Sequence, residues 1–429
     1  MTETSYHRTT EKERRELENL SRPDLEAIQF QKLETLLQII LPDNPFYASK
    51  FNGVERPIRS MQELEMIEQT IKAELIDNSD SAGFARNLTY PIDSYSRFHR
   101  TSGTSGRPLI VLDTPADWVW WKEAWQFVLD HAGITHQDRV VMAFSFGPFI
   151  GFWSAFDAVA ERESLVVPTG AMGTQARVEL IRNVQATTIF CTPSYALHMS
   201  EVMRQNEIDP NDLAVDKIVV AGEPGGSIPE IRERIEDAWN AKVIDHAGAS
   251  EVGPWGIADQ RQRGIYINES EFIAEFQSVE TGLRANEGEL SELILTCLGR
   301  SGSPVIRYKT GDLVRPRWQL NQECQFVMLE GGVLGRTDDM MIIRGVNVFP
   351  SSIEAILRRF PEILEYRITA YRESSMDQLK IEVEDELGQP ERIKSELAMQ
   401  LGFRVEVETV PIHSLPRFEL KGKRFIDQR

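Results

Sequence analysis

The sequence predicts a large α/β N-terminal domain followed by a small α+β C-terminal domain. Three observations carry this expectation. At 429 residues the chain is long for one hydrophobic core and is expected to divide. Its middle alternates strand-like and helix-like text, the pattern of an α/β sheet. Its last part changes to short strands and helices within roughly a hundred residues or fewer.

The elements follow in chain order. Residues 8–38 read as helical, with Leu17, Leu20, Leu25, Ile28, Leu33, Leu36 and Leu37 on repeating faces. A second helical stretch is expected from Met61 to Leu75, after a connection rich in Pro, Asn and Gly. Strands are expected at Arg139–Phe144, Ser164–Pro168, Thr187–Cys191, Lys217–Ala221 and Lys242–Asp245. Helical patterns at Ala176–Arg182 and Pro229–Trp239 lie between them. Ligands of such sheets bind beyond the carboxyl ends of the strands, so the chemistry should sit in the loops that follow them. The C-terminal part reads as a helix over 351–360, strands at Tyr366–Arg372 and Leu379–Glu384, a helix at Glu391–Leu401 and a strand at Val405–Val410. The boundary falls near Thr337–Asp339, giving domains 1–336 and 337–429.

Composition narrows the function classes. The formal net charge of −19 repels nucleic-acid backbones, and no Cys₂His₂ pattern or basic helix offsets it. An anionic nucleotide is still compatible, because local backbone donors and a cation can hold phosphates inside an acidic protein. Three cysteines far apart in sequence (Cys191, Cys297 and Cys324) argue against a disulfide framework and for a reducing compartment. The polar, charged start lacks the apolar core of a signal peptide, and no apolar run is long enough to span a bilayer. The expectation is a cytoplasmic protein with no membrane and no nucleic-acid partner; a homodimer is compatible with the sequence.

The sharpest local feature is Thr101-Ser102-Gly103-Thr104-Ser105-Gly106-Arg107-Pro108. Small residues let backbone approach an anion, glycines permit turns that aim several N–H groups inward, hydroxyls add donors, and Arg107 adds a cationic fork. It is not a Walker loop, since Gly-Lys-Ser/Thr is missing and a strand candidate, Leu109–Leu112, follows it. A polar turn between strands is the alternative for the same residues. Next comes a helix with its start written locally: Thr114 at the N-cap, Pro115 at the first position and Asp117 at N3. Trp118, Trp121, Trp125 and Val128 recur on one face and are expected to pack rather than bind. A hydrolase reading finds no G-x-S-x-G elbow around Ser102, and Cys191 has no identifiable base and reads as core.

Taken together, several stretches resemble the acyl-adenylate-forming superfamily, most closely its phenylacetate–coenzyme A ligase branch. They are TSGTSGRP at 101–108, AGEPGGS at 221–227, AGASEVGPWG at 247–256, RYKTGDL at 307–313, GRTDDMMIIRGVNVFPSSIE at 335–354 and PRFELKGKRFIDQR at 416–429. They occur in family order over about residues 90–429. The resemblance implies an adenylate-forming architecture with a mobile small domain, and a two-step reaction. A carboxylate attacks the α-phosphorus of ATP and expels pyrophosphate; the small domain then rotates, and the thiol of coenzyme A displaces AMP. Catalysis of this kind is mostly positioning and charge neutralisation.

The same resemblance assigns residues. Ser102, Gly103, Thr104, Ser105, Gly106 and Arg107 correspond to the grip on the β- and γ-phosphates. Glu251 corresponds to the Mg²⁺ ligand, in keeping with the preference of that ion for hard oxygen donors. Asp312 corresponds to the acid that accepts both ribose hydroxyls, with Arg336 near the ribose or α-phosphate. Gly222, Glu223 and Pro224 belong to the adenine-side loop. Asp338 corresponds to the hinge acid, and Gly345 is expected to border the pantetheine channel. The C-terminal motif places the catalytic lysine at Lys421, with Lys423 as the alternative because it follows Gly422. One departure stands out. The family's adenine-stacking tyrosine is replaced by Ala247, so either His246 compensates or nucleotide binding differs.

For the acid substrate, Phe144, Phe149, Tyr195, Gly248 and Pro254 are the pocket candidates, with Phe146, Trp153 and Trp255. Their aromatic density suggests a flat ring, although core packing explains many of them equally well. The text after Glu251, Ala258–Gly264, holds no cysteine, so no structural zinc is expected. The reading is an aromatic acid–coenzyme A ligase using ATP and Mg²⁺. A stand-alone adenylating enzyme that passes the acyl group to an amine or carrier-protein thiol, and a non-enzymatic binding protein, are the alternatives.

Overall fold

The computed structural model describes residues 8–76, 83–101, 108–318, 324–343, 346–373, 376–417 and 424–429. The chain forms two compact units, one of residues up to Val140 with Phe146–Pro168 and His246–Gly331, the other of Val141–Ser145, Thr169–Asp245 and Gly332–Arg429. The architecture is a large mixed α/β N-terminal region and a small C-terminal α+β region, as the sequence predicts.

In the first unit, the N-terminal helical stretch is two helices, Glu11–Glu18 and Arg22–Ile40. The break has a local cause. Pro23 has no N–H to give to an i→i−4 bond, and Ser21 caps the second helix by accepting from Asp24 N. Leu33, Leu36, Leu37 and Ile40 then pack with Tyr47, Ile58, Ile273 and Ile306, each such buried side chain contributing about 1.5–3 kcal/mol.

The expected helix from Met61 to Leu75 is also interrupted. Helix forms at Met61–Glu65 and at Lys72–Leu75. Between them Thr70 leaves to pair with Tyr308, its N–H donating to Arg307 O at 2.8 Å while its carbonyl accepts from Lys309 N at 2.9 Å. The Arg307 guanidinium takes up the freed carbonyls of Glu65 and Ile67 and pairs with Glu275 at 2.7 Å. Long-range hydrogen bonds here outweigh a local helical pattern.

The Trp-rich helix, Pro115–His131, starts as its sequence dictates. Thr114 accepts from Asp117 N, and the Asp117 carboxylate accepts from Thr114 N in return. Trp118, Trp121, Trp125 and Val128 are buried, and each indole N–H has a partner: Asp157, Asp113 and Ser154. The tryptophans are packing residues. Three antiparallel strands, Phe272–Ser278, Ser291–Cys297 and Tyr308–Val314, complete the part of this unit that matters below.

In the second unit, Thr188–Cys191, Lys217–Val220 and Lys242–Asp245 form a parallel ladder. They are joined by helices that include Pro193–Gln205 and Pro229–Trp239. Cys191 is buried in this ladder. The C-terminal part is the helix Pro350–Arg358, the antiparallel pair Ile363–Glu373 and Met376–Asp385, the helix Pro390–Leu401, and strands Glu406–Thr409 and Phe425–Asp427 added in parallel at either edge. Ile353, Leu357, Ile368, Ile381, Val383, Ile393 and Leu397 make its core. The expected boundary, Thr337–Asp339, is a single 3₁₀ turn.

Candidate active site

The phosphate-loop motif joins the two strands of a hairpin. Arg97–Arg100 pairs antiparallel with Ile110–Asp113, and Arg100 lies opposite Ile110. Thr101 N donates to Leu109 O, and Thr101 Oγ1 accepts from Leu109 N, both at 3.0 Å. Ser102, Gly103, Thr104, Ser105, Gly106 and Arg107 lie outside the described residues. The strand ends that carry them are thus closed by Thr101. Pro148 O accepts from Arg100 N at 2.8 Å, which sets the run 146–149 beside the loop end of this hairpin.

Glu251 sits in a tight turn. Ala249 N donates to Gly253 O, and Gly253 N and Val252 N donate back to Ala249 O. The turn is fixed from within the protein by Arg300, whose Nη1 reaches Glu251 O at 2.8 Å and Ser250 O at 3.1 Å. The same guanidinium pairs with Asp113 at 2.7 Å, and both side chains are 0% exposed. Asp113 ends the second strand of the phosphate hairpin. One fully buried ion pair therefore ties the phosphate hairpin to the Glu251 turn. Gly299 makes this approach feasible: a Cβ there would come within 2.1 Å of the Trp120 ring. Sequence reasoning missed Arg300, since a charged residue in a Gly-Arg-Ser-Gly run reads as surface turn.

The Glu251 carboxylate is only 9% exposed and faces Lys72 Nζ at 3.0 Å. Lys72 Nζ also donates to Thr101 Oγ1 at 3.3 Å. Lys72 is not among the residues expected from the sequence; it reaches this place because the connection between the two short helices pairs with Tyr308 at Thr70. That excursion also ties in Asp312. Thr70 pairs with Tyr308, at the start of the strand that bears Asp312. Leu293 alone stands opposite Thr310, Gly311 and Asp312, a bulge that Gly311 permits with φ +77°. Thr310 Oγ1 bonds Leu293 O and accepts from Asp312 N. The first unit thus connects Thr101, Glu251 and the strand of Asp312 through the short stretch Thr70–Lys72.

Ala247 and His246 lie beside this turn. His246 is 6% exposed, its ring 4.2 Å from that of Trp125, and its Nδ1–H donates to Gly256 O at 2.8 Å. Burial lowers its pKa to about 4, with the Gly256 hydrogen bond opposing in part. Packed in this way, His246 offers no open face for a base to stack on. Gly248 is exposed and Pro254 is buried at the other end of the turn.

In the second unit, Glu223 Oε1 accepts from Ser194 N at 2.8 Å, at the start of the Pro193–Gln205 helix. Burial raises the Glu223 pKa, against the attraction of Arg424. Gly222 and Pro224 flank it in the same loop. Tyr195 is fully buried, and its hydroxyl accepts from Arg177 Nη1 at 2.6 Å. Arg177 in turn donates to Phe144 O, so these two aromatic candidates share one arginine. Arg336 lies 3.6 Å from Asp338, which is half-exposed on the 3₁₀ turn. Gly345, Lys421 and Lys423 lie outside the described residues. The residues that bracket the two lysines are anchored. Arg417 pairs with Glu384 at 2.8 Å and Glu201 at 3.3 Å, and Arg424 pairs with Glu365 at 2.6 Å.

Mg²⁺ accepts one or two carboxylates when phosphates and water supply its other ligands. A single, largely covered carboxylate at Glu251, one ion pair away from the phosphate hairpin, fits that donor set. Among the described residues no group of three or more His, Cys, Asp or Glu side chains stands together as a metal cage. A 510 Å³ hollow elsewhere in the first unit is lined by Arg14, Glu123, Asp130 and Arg162, and by none of the candidate site residues.

Comparison with known proteins gives this geometry a family. Residues 345–429 match the model of the AMP-binding enzyme C-terminal domain. The phenylacetate–coenzyme A ligase of Thermus thermophilus is 31% identical over 96% of this chain and 99% of its own length. The chain belongs to the acyl-adenylate-forming superfamily. The phenylacetate–coenzyme A ligase of Escherichia coli is likewise 31% identical, over 96% of this chain and 97% of its own. Among solved structures, 2-hydroxyisobutyryl-CoA ligase in its postadenylation state, in complex with R3-HIB-AMP, superposes with a TM-score of 0.89. It is 27% identical, over 96% of this chain and 91% of that one. As a superfamily member of this branch, the protein is an AMP-forming acid–thiol ligase: it forms an acyl-adenylate from ATP and carries out CoA-ligase chemistry. Among the described residues no helix is long and apolar enough to cross a membrane.

Proposed function

We propose that the protein activates an aromatic carboxylic acid as its acyl-adenylate and transfers the acyl group to coenzyme A. The carboxylate oxygen attacks the α-phosphorus of ATP, and pyrophosphate leaves. The thiol of coenzyme A then loses its proton and attacks the acyl carbonyl, and AMP leaves. The loop 102–107 grips the outer phosphates, Glu251 holds Mg²⁺, Asp312 accepts the ribose hydroxyls, and Arg336 neutralises charge near the α-phosphate. Gly222, Glu223 and Pro224 border adenine, Lys421 serves adenylation, and the region 337–429 turns about Asp338 to bring Gly345 to the thioester-forming site.

The observation that carries the aromatic reading is the ring cluster beside the loop end of the phosphate hairpin. Phe146 stands 5.0 Å from Trp153 and 5.8 Å from Phe156, both edge-on, and Phe149 stands 6.4 Å from Phe152. Edge-to-face surroundings suit another flat ring. The phenylacetate ligases among the relatives support the same substrate class. A small branched hydroxy acid is the second reading, favoured by the likeness to 2-hydroxyisobutyryl-CoA ligase.

The test is product analysis with MgATP, coenzyme A and a panel that pairs arylacetic and benzoic acids with small hydroxy acids. An aryl-CoA thioester, AMP and pyrophosphate are the expected products. Preference for 2-hydroxyisobutyrate over every aromatic acid would overturn the aromatic assignment. Acyl-AMP formed without any thioester would move the acceptor to an amine or a carrier-protein thiol.

A further inference from the structure

Lys72 has no part in the roles above, yet it occupies a place where charge matters. Its ammonium touches the Glu251 carboxylate at 3.0 Å and the Thr101 hydroxyl at 3.3 Å. The contact is not needed to shape either partner. Arg300 and the 249–253 hydrogen bonds fix the backbone of the Glu251 turn, and Leu109 fixes Thr101. Lys72 itself is 32% exposed on a long, flexible stem, so it can withdraw without opening the core. A Mg²⁺ on the same carboxylate needs the same oxygen lone pairs, and two cations that close to one another repel.

We infer that Lys72 is a resident counter-ion that competes with the divalent metal for Glu251. The metal–nucleotide complex displaces it from Glu251 toward its other partner, Thr101, where its ammonium meets the triphosphate. The inference rests on Glu251 being the carboxylate of the metal. It makes two opposite demands of one residue: Lys72 opposes metal binding to the empty enzyme and favours binding of the polyanion.

The test uses Mn²⁺ as the probe, followed by the loss of its free electron paramagnetic resonance signal, with no acid and no nucleotide present. Lys72→Met keeps the stem and removes the charge. It should bind Mn²⁺ about tenfold more tightly than wild type, while metal-free ATP, followed by calorimetry, binds several-fold more weakly. Lys72→Arg keeps the charge and should titrate with Mn²⁺ as wild type does. Lys72→Met/Glu251→Gln should bind Mn²⁺ no better than Glu251→Gln alone. Equal or weaker Mn²⁺ binding by Lys72→Met, including no detectable binding by either protein, overturns the competition. A gain that persists in the double variant overturns it too. Undiminished Mn²⁺ binding by Glu251→Gln would remove Glu251 as the metal ligand, and the inference with it. None of these readouts depends on which acid is activated or which thiol accepts it.

Discussion

Arginine anchors both the turn that carries Glu251 and the residues on either side of 418–423, and it does so in different ways. Arg300 binds the backbone of the Glu251 turn itself, from a site as buried as its counter-ion Asp113. Arg417 and Arg424 stand just outside residues 418–423 and pair with Glu384, Glu201 and Glu365. The first arrangement fixes a carboxylate in place. The second fixes the two ends of a stretch. The difference matches the two demands of the chemistry. A metal ligand must be in position before the metal arrives, whereas the lysine proposed for adenylation is needed in one half-reaction and must clear the site for the other. Arg417 is telling in this respect. Glu384 belongs to the C-terminal strand pair, while Glu201 belongs to the Pro193–Gln205 helix. In the proposed rotation of 337–429, the first ion pair would be kept and the second broken.

Breaking the rigid side should have the largest effect. Arg300→Met leaves Asp113 buried without its cation and is expected to cost about 3–5 kcal/mol of unfolding free energy, read by urea denaturation. Adding Asp113→Asn should recover part of that loss. Glu251→Gln removes charge but no anchor. Stability should stay within about 1 kcal/mol, while Mg²⁺-dependent acyl-AMP formation falls by about 10²–10³-fold.

On the C-terminal side, Lys421→Ala should slow adenylation by about 10²–10³-fold and leave thioester formation from supplied acyl-AMP nearly intact. If Lys423→Ala shows that split and Lys421→Ala does not, the roles exchange.

The turn also has a pH signature. The folded His246 pKa, about 4, lies below the ordinary value of 6.5, so the unfolded chain binds the extra proton. Its contribution is complete above pH 6.5 and is lost as pH falls toward 4, by up to about 3 kcal/mol. His246→Asn should flatten the stability profile in that window and leave the profile above pH 7 unchanged. The smallest effect is expected of Glu201→Gln. It should change stability by about 1 kcal/mol or less and speed the thioester-forming step relative to adenylation.

Much of this contrast is written locally, and part of it is not. The Trp-rich helix announces itself through Thr114, Pro115 and Asp117, and the structure shows the reciprocal cap those residues imply. The five strands of the α/β region fall within a residue or two of their sequence-based bounds, because β-branched runs between turn residues are legible without tertiary context. The stretch 61–75 misleads because its apolar spacing at Leu64, Ile67, Ile71 and Leu75 is helical, while the bond that ends the helix comes from Arg307, far away in sequence. Lys72 and Arg300 were missed for the same reason. Each looks like a surface cation until a distant segment supplies its partner, Glu251 for Lys72 and Asp113 for Arg300. Glu251 and Asp312 were found through motif resemblance. What the sequence did not disclose is how they are held: a turn roped to the phosphate hairpin, and a bulge opposite Leu293.

In the proposed chemistry a carboxylic acid is joined to the α-phosphate of ATP with a metal on Glu251. Exchange of labelled pyrophosphate into ATP measures that step alone, without an acyl acceptor. Exchange should require both a carboxylic acid and Mg²⁺ in the wild-type protein and nearly vanish in Glu251→Gln. Exchange that proceeds at the wild-type rate in Glu251→Gln, or that needs no acid, would contradict this chemistry.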